Sequence, residues 1–300
     1  FIYYKMTTTL NVIGNTPLVR LERLFSGREI YLKLEGQNPG GSVKDRVAKF
    51  LVEQALKSGE LVEGMSILEA TSGNMGIALA MVGAAMGIPV RIVMSEGMSQ
   101  ERRHMIQAFG AELDLTESRK GTAGAREKML ELVEQNPGKY WMVNQFDNEN
   151  NVRAHELSLA PEIYSQLKNV GMVVSGIGTS GTAVGLARFF QKKNLNVSLV
   201  AVRPPAGFKI QGIQHPEGDF LPGIWEEQIV SDIVDVSQKE SFEMVRRIAR
   251  EEGLLVGQST GAVLAAIDKI TESRPIVLIS ADRGEKYLST GIFNVYKFEK

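Results

Sequence analysis

Apolar positions along the chain switch repeatedly between two periods. Residues 29–34 alternate polar and apolar side chains, as a half-buried strand does. Residues 43–57 then carry Val47, Leu51 and Ala55 at helical spacing. Short runs typical of buried strands follow at 66–69, 90–94 and 112–115, with helical periods at 76–86, 99–109 and 123–134 between and after them. Gly110 and the pair Asn136-Pro137 supply stop signals for two of these helices. The rhythm resumes with strands predicted at 172–175, 198–202 and 276–280 and helices at 184–191, 237–252 and 261–270. Strand, glycine turn, helix and strand in repeated order is the pattern of parallel sheets covered by helices. Two such sets predict an α/β chain of two doubly wound units with mostly parallel sheets and a cleft between them. Turn-forming residues cluster at 145–151 and mark a switch between the sets.

Composition narrows the chemistry. The 300 residues are 43% hydrophobic and 23% charged, the balance of a globular protein with a sizeable core. A net charge of -1 without long like-charged runs gives no attraction for nucleic acid or an anionic membrane surface. The absence of cysteine excludes disulfides, iron–sulfur clusters and a thiol nucleophile, and fits a cytoplasmic setting. His104, His155 and His215 are too far apart in sequence to form a metal pair on one helix, so no metal site is expected. The longest apolar stretch, 76–90, is interrupted by Gly83, Gly87 and Pro89 and reads as a buried helix followed by a strand, not a membrane span. Phe1 is not a start methionine. Met6 is a candidate start, and residues 1–5 take no part in the predicted fold.

Three segments carry candidate chemistry. In Asn38-Pro39-Gly40-Gly41-Ser42-Val43-Lys44-Asp45-Arg46, a turn precedes a helix start, with Ser42 and Asp45 spaced like a capping box. Lys44 falls in the first helical turn, where the helix dipole disfavours a cation. A neutral amine is what Schiff-base chemistry requires; a solvated lysine paired with Asp45 would give the same local sequence. Thr71-Ser72-Gly73-Asn74-Met75-Gly76 joins a strand to a helix and offers backbone N–H groups and hydroxyls suited to a carboxylate. Gly176-Ile177-Gly178-Thr179-Ser180-Gly181-Thr182 does the same in the second set and suits a phosphate monoester. It has no lysine after its last glycine, so it is not a nucleotide-hydrolase loop, and its glycine spacing differs from the dinucleotide fingerprint. Each loop alone is equally consistent with a plain capping turn. Together with a poised lysine they describe a cofactor phosphate, a substrate carboxylate and an imine.

These motifs, with Gly257-Gln258-Ser259-Thr260-Gly261-Ala262, resemble the fold-type II pyridoxal-phosphate enzymes of the cysteine synthase and cystathionine β-synthase family. The resemblance runs from Gly14 to Thr290. It implies a smaller mobile N-terminal unit, residues 36–147, and a larger unit, residues 8–35 plus 148–300, with pyridoxal phosphate in the cleft. It implies Lys44 as the Schiff-base lysine and general base. Asn74 is implied as partner of the cofactor's 3′-oxygen, Gly178, Thr179, Ser180, Gly181 and Thr182 as phosphate cradle, and Ser259 as facing the pyridine nitrogen. A hydroxyl there cannot keep that nitrogen protonated as a carboxylate would. The weaker electron sink favours loss of a β-substituent over a long-lived carbanion. Ser259 also reads as a helix N-cap. Thr71, Ser72 and Gln145 are implied as carboxylate binders.

The implied activity is β-replacement on O-acetylserine by sulfide, giving cysteine and acetate, in a homodimer. Alternatives are cystathionine β-synthase-like chemistry, serine dehydration, or an idle paralogue acting as a binding protein. Residues 98–103, 220–224 and Ala281-Asp282-Arg283-Gly284 resemble the B-type cysteine synthases. Departures are Met75, where the family usually has threonine, residues 159–162, and Gln214-His215, where the B type has two arginines. Their absence argues against thiosulfate or phosphoserine as a preferred substrate, although Lys209 lies nearby. Neither a regulatory module nor a heme-binding extension is expected.

Overall fold

The computed structural model describes residues 8–216 and 221–294. Residues 1–5, and Phe220 of the 220–224 segment, lie outside the described residues. In chain order the strands are β1 (Leu18–Arg20), β2 (Ile30–Leu34), β3 (Ser66–Ala70), β4 (Val90–Ser95), β5 (Glu112–Thr116), β6 (Tyr140–Met142), β7 (Met172–Gly176), β8 (Ser198–Arg203), β9 (Asp232–Asp235) and β10 (Ile276–Ser280). The helices are α1 (Lys44–Ser58), α2 (Asn74–Met86), α3 (Gln100–Ala108), α4 (Gly121–Gln135), α5 (Glu149–Ala154), α6 (Ala160–Gln166), α7 (Gly181–Lys192), α8 (Gln238–Glu251) and α9 (Gln258–Ala265). A π-helical turn, His155–Leu159, joins α5 to α6.

Two sheets result. One is all-parallel, in the order β5-β4-β3-β6; the other runs β1-β2-β10-β7-β8-β9, antiparallel only between β1 and β2. Alternate residues of each strand enter different cores, so helices cover both faces. In the smaller sheet Ile67, Ile92 and Met94 pack with α1 and α2, while Leu68 and Val93 pack with α4. In the larger sheet Leu32, Val174, Val200 and Leu278 pack with α8 and α9, while Val173, Leu199 and Val277 pack with α6 and α7. Burying each such side chain contributes about 1.5–3 kcal/mol. The apolar stretch read at 76–90 is indeed a core helix and the start of β4.

Strand order reverses once in each sheet. After β3 the chain winds outward through β4 and β5, then returns with β6 on the other side of β3. After β7 it winds through β8 and β9, then returns with β10 on the other side of β7. A crevice opens at the carboxyl ends of strands where the winding direction changes. The residues after β3 and β6 include Thr71, Ser72 and Gln145; those after β7 and β10 include Gly178–Ser180 and Asp282.

The structure corrects two local expectations. The Ser42–Asp45 capping box does not form: Val43 holds the N-cap position of α1, and Asp45 turns back to accept from the Gly40 N–H at 2.6 Å. Gly257, not Ser259, is the N-cap of α9, which begins at Gln258 and ends at Ala265 before a 3-10 turn. A true capping box stands at α8, where Ser237 and Glu240 bond reciprocally.

Candidate active site

Lys44 is the first residue of α1. That helix starts against the end of β10, because the Val43 N–H donates to the Ala281 carbonyl at 2.8 Å and Ser42 pairs with Asp282 as an isolated bridge. The side chain then reaches the glycine loop after β7, where Nζ donates to Thr179 Oγ1 at 2.9 Å. Burial lowers the Lys44 amine to about 8, with the Glu69 carboxylate working in the opposite direction. The sequence pointed to the helix dipole; burial is the cause the structure shows.

Thr179 Oγ1 also accepts from Asn151 Nδ2 at 2.9 Å, and the same nitrogen donates to the Gln145 carbonyl at 2.8 Å. One buried amide thus ties the loop after β6 to the loop after β7. Gln145 Nε2 lies 3.4 Å from Glu69 Oε1, while Glu69 Oε2 is buried without a partner. Burial raises the Glu69 carboxyl to about 7, against hydrogen bonds from Gln145 and the backbone. A buried amine and a buried carboxyl, each shifted towards neutrality and close enough to act on one another electrostatically, point to a reactive site.

The loop at 177–182 is shaped for an anion. A Cβ on Gly178 would stand 2.7 Å from the Gly212 carbonyl oxygen, and one on Gly181 would stand 2.2 Å from Asn151 Oδ1, so only glycine fits either place. Ser180 adopts a left-handed φ of 73°, and its buried hydroxyl has no partner. It stands at the N-terminus of the twelve-residue α7, where free N–H groups favour negative charge. Thr182 Oγ1 meets His155 Nε2 at 3.2 Å; burial, with the Lys44 charge adding to it, pushes that imidazole well below its usual range, so it is neutral. Gly212 also brings Ser259 to this loop, since a Cβ there would stand 3.5 Å from Ser259 Oγ.

Across the crevice, Thr71 Oγ1 accepts from the Gly73 N–H at 3.2 Å and fixes the turn, while Ser72 is exposed. Asn74 is held on both sides, donating from Nδ2 to Asp282 Oδ2 at 2.7 Å and accepting at Oδ1 from Lys286 Nζ at 3.0 Å. The structure therefore joins Lys44, Thr179 and Gln145 through direct or single-residue links. It joins Asn74 instead to Asp282 and Lys286. Met75 points away from the crevice into the apolar core of α1 and α2 and is 1% exposed. Met75→Thr is expected to reduce stability by about 2–4 kcal/mol in urea unfolding, through a cavity and a buried hydroxyl without a partner. A gain in stability would show that the core can accept the hydroxyl. Lys209 is exposed, and the Gln214 N–H is held by the Ile177 carbonyl at 2.6 Å.

Sequence reasoning missed Glu69, Asn151, Lys286 and the pairing of His155 with Thr182. Glu69 had a signal, a lone charge inside the buried run Ser66-Ile67-Leu68-Glu69-Ala70. A buried charge is the informative kind of exception.

A lysine able to shed its proton, facing a phosphate-shaped loop across from a carboxylate-shaped one, is the equipment of a pyridoxal-phosphate enzyme. Residues 9–282 match the family described as pyridoxal-phosphate dependent enzyme, and the chain belongs to it. It is 40% identical to cysteine synthase B of Escherichia coli strain K12 over 301 residues, covering 98% of this chain and 99% of that protein. It is 42% identical to a cysteine synthase of Aquifex aeolicus, covering 96% of this chain and 92% of that one. The fold superposes with a TM-score of 0.91 on the crystal structure of a cysteine synthase from Entamoeba histolytica, at 37% identity, covering 100% of this chain and 94% of that one.

Proposed function

We propose that this protein is a cysteine synthase that exchanges the acetoxy group of O-acetylserine for sulfide, releasing acetate and cysteine. The observation that carries this reading is the buried Lys44 amine bonded to Thr179 in the glycine loop. Pyridoxal phosphate, when bound, supplies the electron sink that eases removal of the Cα proton and departure of the β-substituent. The residues present fit that group: Ser180 has a spare buried hydroxyl, the α7 N-terminus faces the loop, and Lys44 makes one side-chain bond that it can exchange. Gly178, Thr179, Ser180, Gly181 and Thr182 would hold the phosphate, Ser259 would serve the pyridine nitrogen, and Asn74 would donate to the 3′-oxygen. Thr71, Ser72 and Gln145 orient the substrate carboxylate. Lys44 takes the proton from Cα and later returns it there. The C–O bond to acetate breaks, and a C–S bond forms at the same carbon. The unit of residues 36–147 moves over the substrate and excludes water. The active form is a cytoplasmic homodimer. Among the described residues no helix is long and apolar enough to cross a membrane.

The test is the visible spectrum of the purified protein, followed by product analysis. O-acetylserine with sulfide should give cysteine and acetate, whereas serine with homocysteine should give no cystathionine. A colourless protein that takes up no added pyridoxal phosphate would overturn the reading. The amine supplies a second check. Only its neutral form attacks a carbonyl, and burial lowers it from 10.5 to about 8. Capture of pyridoxal phosphate by the apoprotein should therefore accelerate from pH 7 through 8 and level off above about pH 9. A rate still climbing at pH 10 would mean an ordinary, solvated lysine.

A further inference from the structure

The resemblance left Lys286 without a role, yet its amine lies among the catalytic elements. The residue sits in the 3-10 segment Gly284–Thr290 that follows β10 and is 3% exposed. Its Nζ donates to the Gly40 carbonyl at 3.1 Å and to Asn74 Oδ1 at 3.0 Å. The stem crosses directly over the turn before α1: a Cβ on Gly41, whose φ is +79°, would stand 3.2 Å from Lys286 Cε. Asp45 grips the same turn from its other side through the Gly40 N–H. Burial lowers the Lys286 amine to about 8, while Asp282 and Asp45 oppose that shift, so it is largely charged at pH 7.

An ammonium can only donate hydrogen bonds, and a carboxylate can only accept them. Asn74 stands between one of each, since Asp282 Oδ2 accepts from its Nδ2 at 2.7 Å. Turning the amide over would set an NH2 group against an ammonium and a carbonyl against a carboxylate. Tyr287 holds Asp282 in place by donating to the same Oδ2 at 2.8 Å. Asn74 Nδ2 carries two hydrogens. With one given to Asp282, the other is left for an acceptor in the crevice.

We propose that Lys286, with Asp282, is a positioning residue: it fixes the polarity of the Asn74 amide so that an N–H serves the cofactor's 3′-oxygen, and through Gly40 it sets Asn74 relative to Lys44. The inference rests on the proposed pairing of Asn74 with that oxygen.

The experiment titrates pyridoxal phosphate into the apoproteins of wild type, Asn74→Ala, Lys286→Met, Lys286→Arg and the Asn74→Ala/Lys286→Met double variant. It reads the dissociation constant and the visible band of the bound cofactor, with a melting curve of each apoprotein to establish folding. Lys286→Met should weaken binding about tenfold and shift the band as Asn74→Ala does. Lys286→Arg, which keeps a cationic donor, should recover most of both. In the Asn74→Ala background Lys286→Met should change binding less than about twofold, because its effect passes through Asn74. A Lys286→Met protein with wild-type band and affinity, or one whose loss is undiminished in the Asn74→Ala background, overturns the proposal while leaving the role of Asn74 standing. An unaltered Asn74→Ala protein removes both. Should the methionine variant fail to fold, Lys286→Leu, which likewise removes the donor, serves in the same comparison.

Discussion

Replacing Lys44 by alanine is expected to lower the rate of cysteine formation by at least about 10⁴-fold, because in the proposed mechanism one group holds the cofactor and moves the Cα proton. Loss of a proton-transferring side chain alone typically removes about 10²–10⁴-fold, and loss of the covalent anchor adds to it. The same variant should fold normally. The Lys44 side chain makes a single hydrogen bond, to Thr179, and its burial disfavours the charged amine. Removing it relieves that cost, so the apoprotein should melt within a few degrees of wild type. Steady-state rates on O-acetylserine and sulfide, beside melting curves of both apoproteins, separate the two effects. Turnover within about tenfold of wild type would take Lys44 out of the chemistry.

Lys44 was legible because its surroundings are local: a Pro-Gly-Gly turn, then a helix, then a charge where a charge is disfavoured. The two glycine loops were legible for the same reason, since each sits between a strand and a helix whose periods are clear. The reading of Asp45 shows the limit. Its spacing from Ser42 imitates a capping box, but in the fold the carboxylate bends back to Gly40 and helps set the turn. The start of α9 was hidden because its first turn, Gln258-Ser259-Thr260, is polar yet buried, and a hydrophobic period cannot register buried polar residues. The strands β1 and β6 escaped because three residues are too few to show an alternation. The partners of Asn74 were beyond reach for a different reason. Lys286 lies 212 residues further along the chain and Asp282 lies 208. They meet Asn74 because both sheets present their strand ends to one crevice, a relation that topology makes and sequence distance conceals.

The same crevice depends on a buried ion network, and Arg46→Met is expected to cost about 3–5 kcal/mol of folding stability. Arg46 stands two residues after Lys44 and forks onto two carboxylates. Nε and Nη2 reach Glu35 at 2.7 and 2.8 Å, and Nη1 and Nη2 reach Glu162 at 3.0 and 3.1 Å. Glu35 is 0% exposed and further held by Thr16 and Asn38, so it cannot turn to water when the arginine is gone. A methionine of similar length fills the space but strands that charge. Burial alone would raise the Glu162 carboxyl, yet the Arg46 and Lys33 cations bring it down to about 2. A depressed carboxyl contributes stability above its unfolded value, near 4.5, and loses it as the pH falls through about 2. The gap between wild type and Arg46→Met should therefore be widest above pH 4.5 and narrow towards pH 2, which urea unfolding at several pH values would follow. Because this network seats the first turn of α1, the variant should also release pyridoxal phosphate faster at neutral pH. A variant that unfolds within about 1 kcal/mol of wild type at pH 7 would show that packing, not the ion network, anchors the helix that carries Lys44.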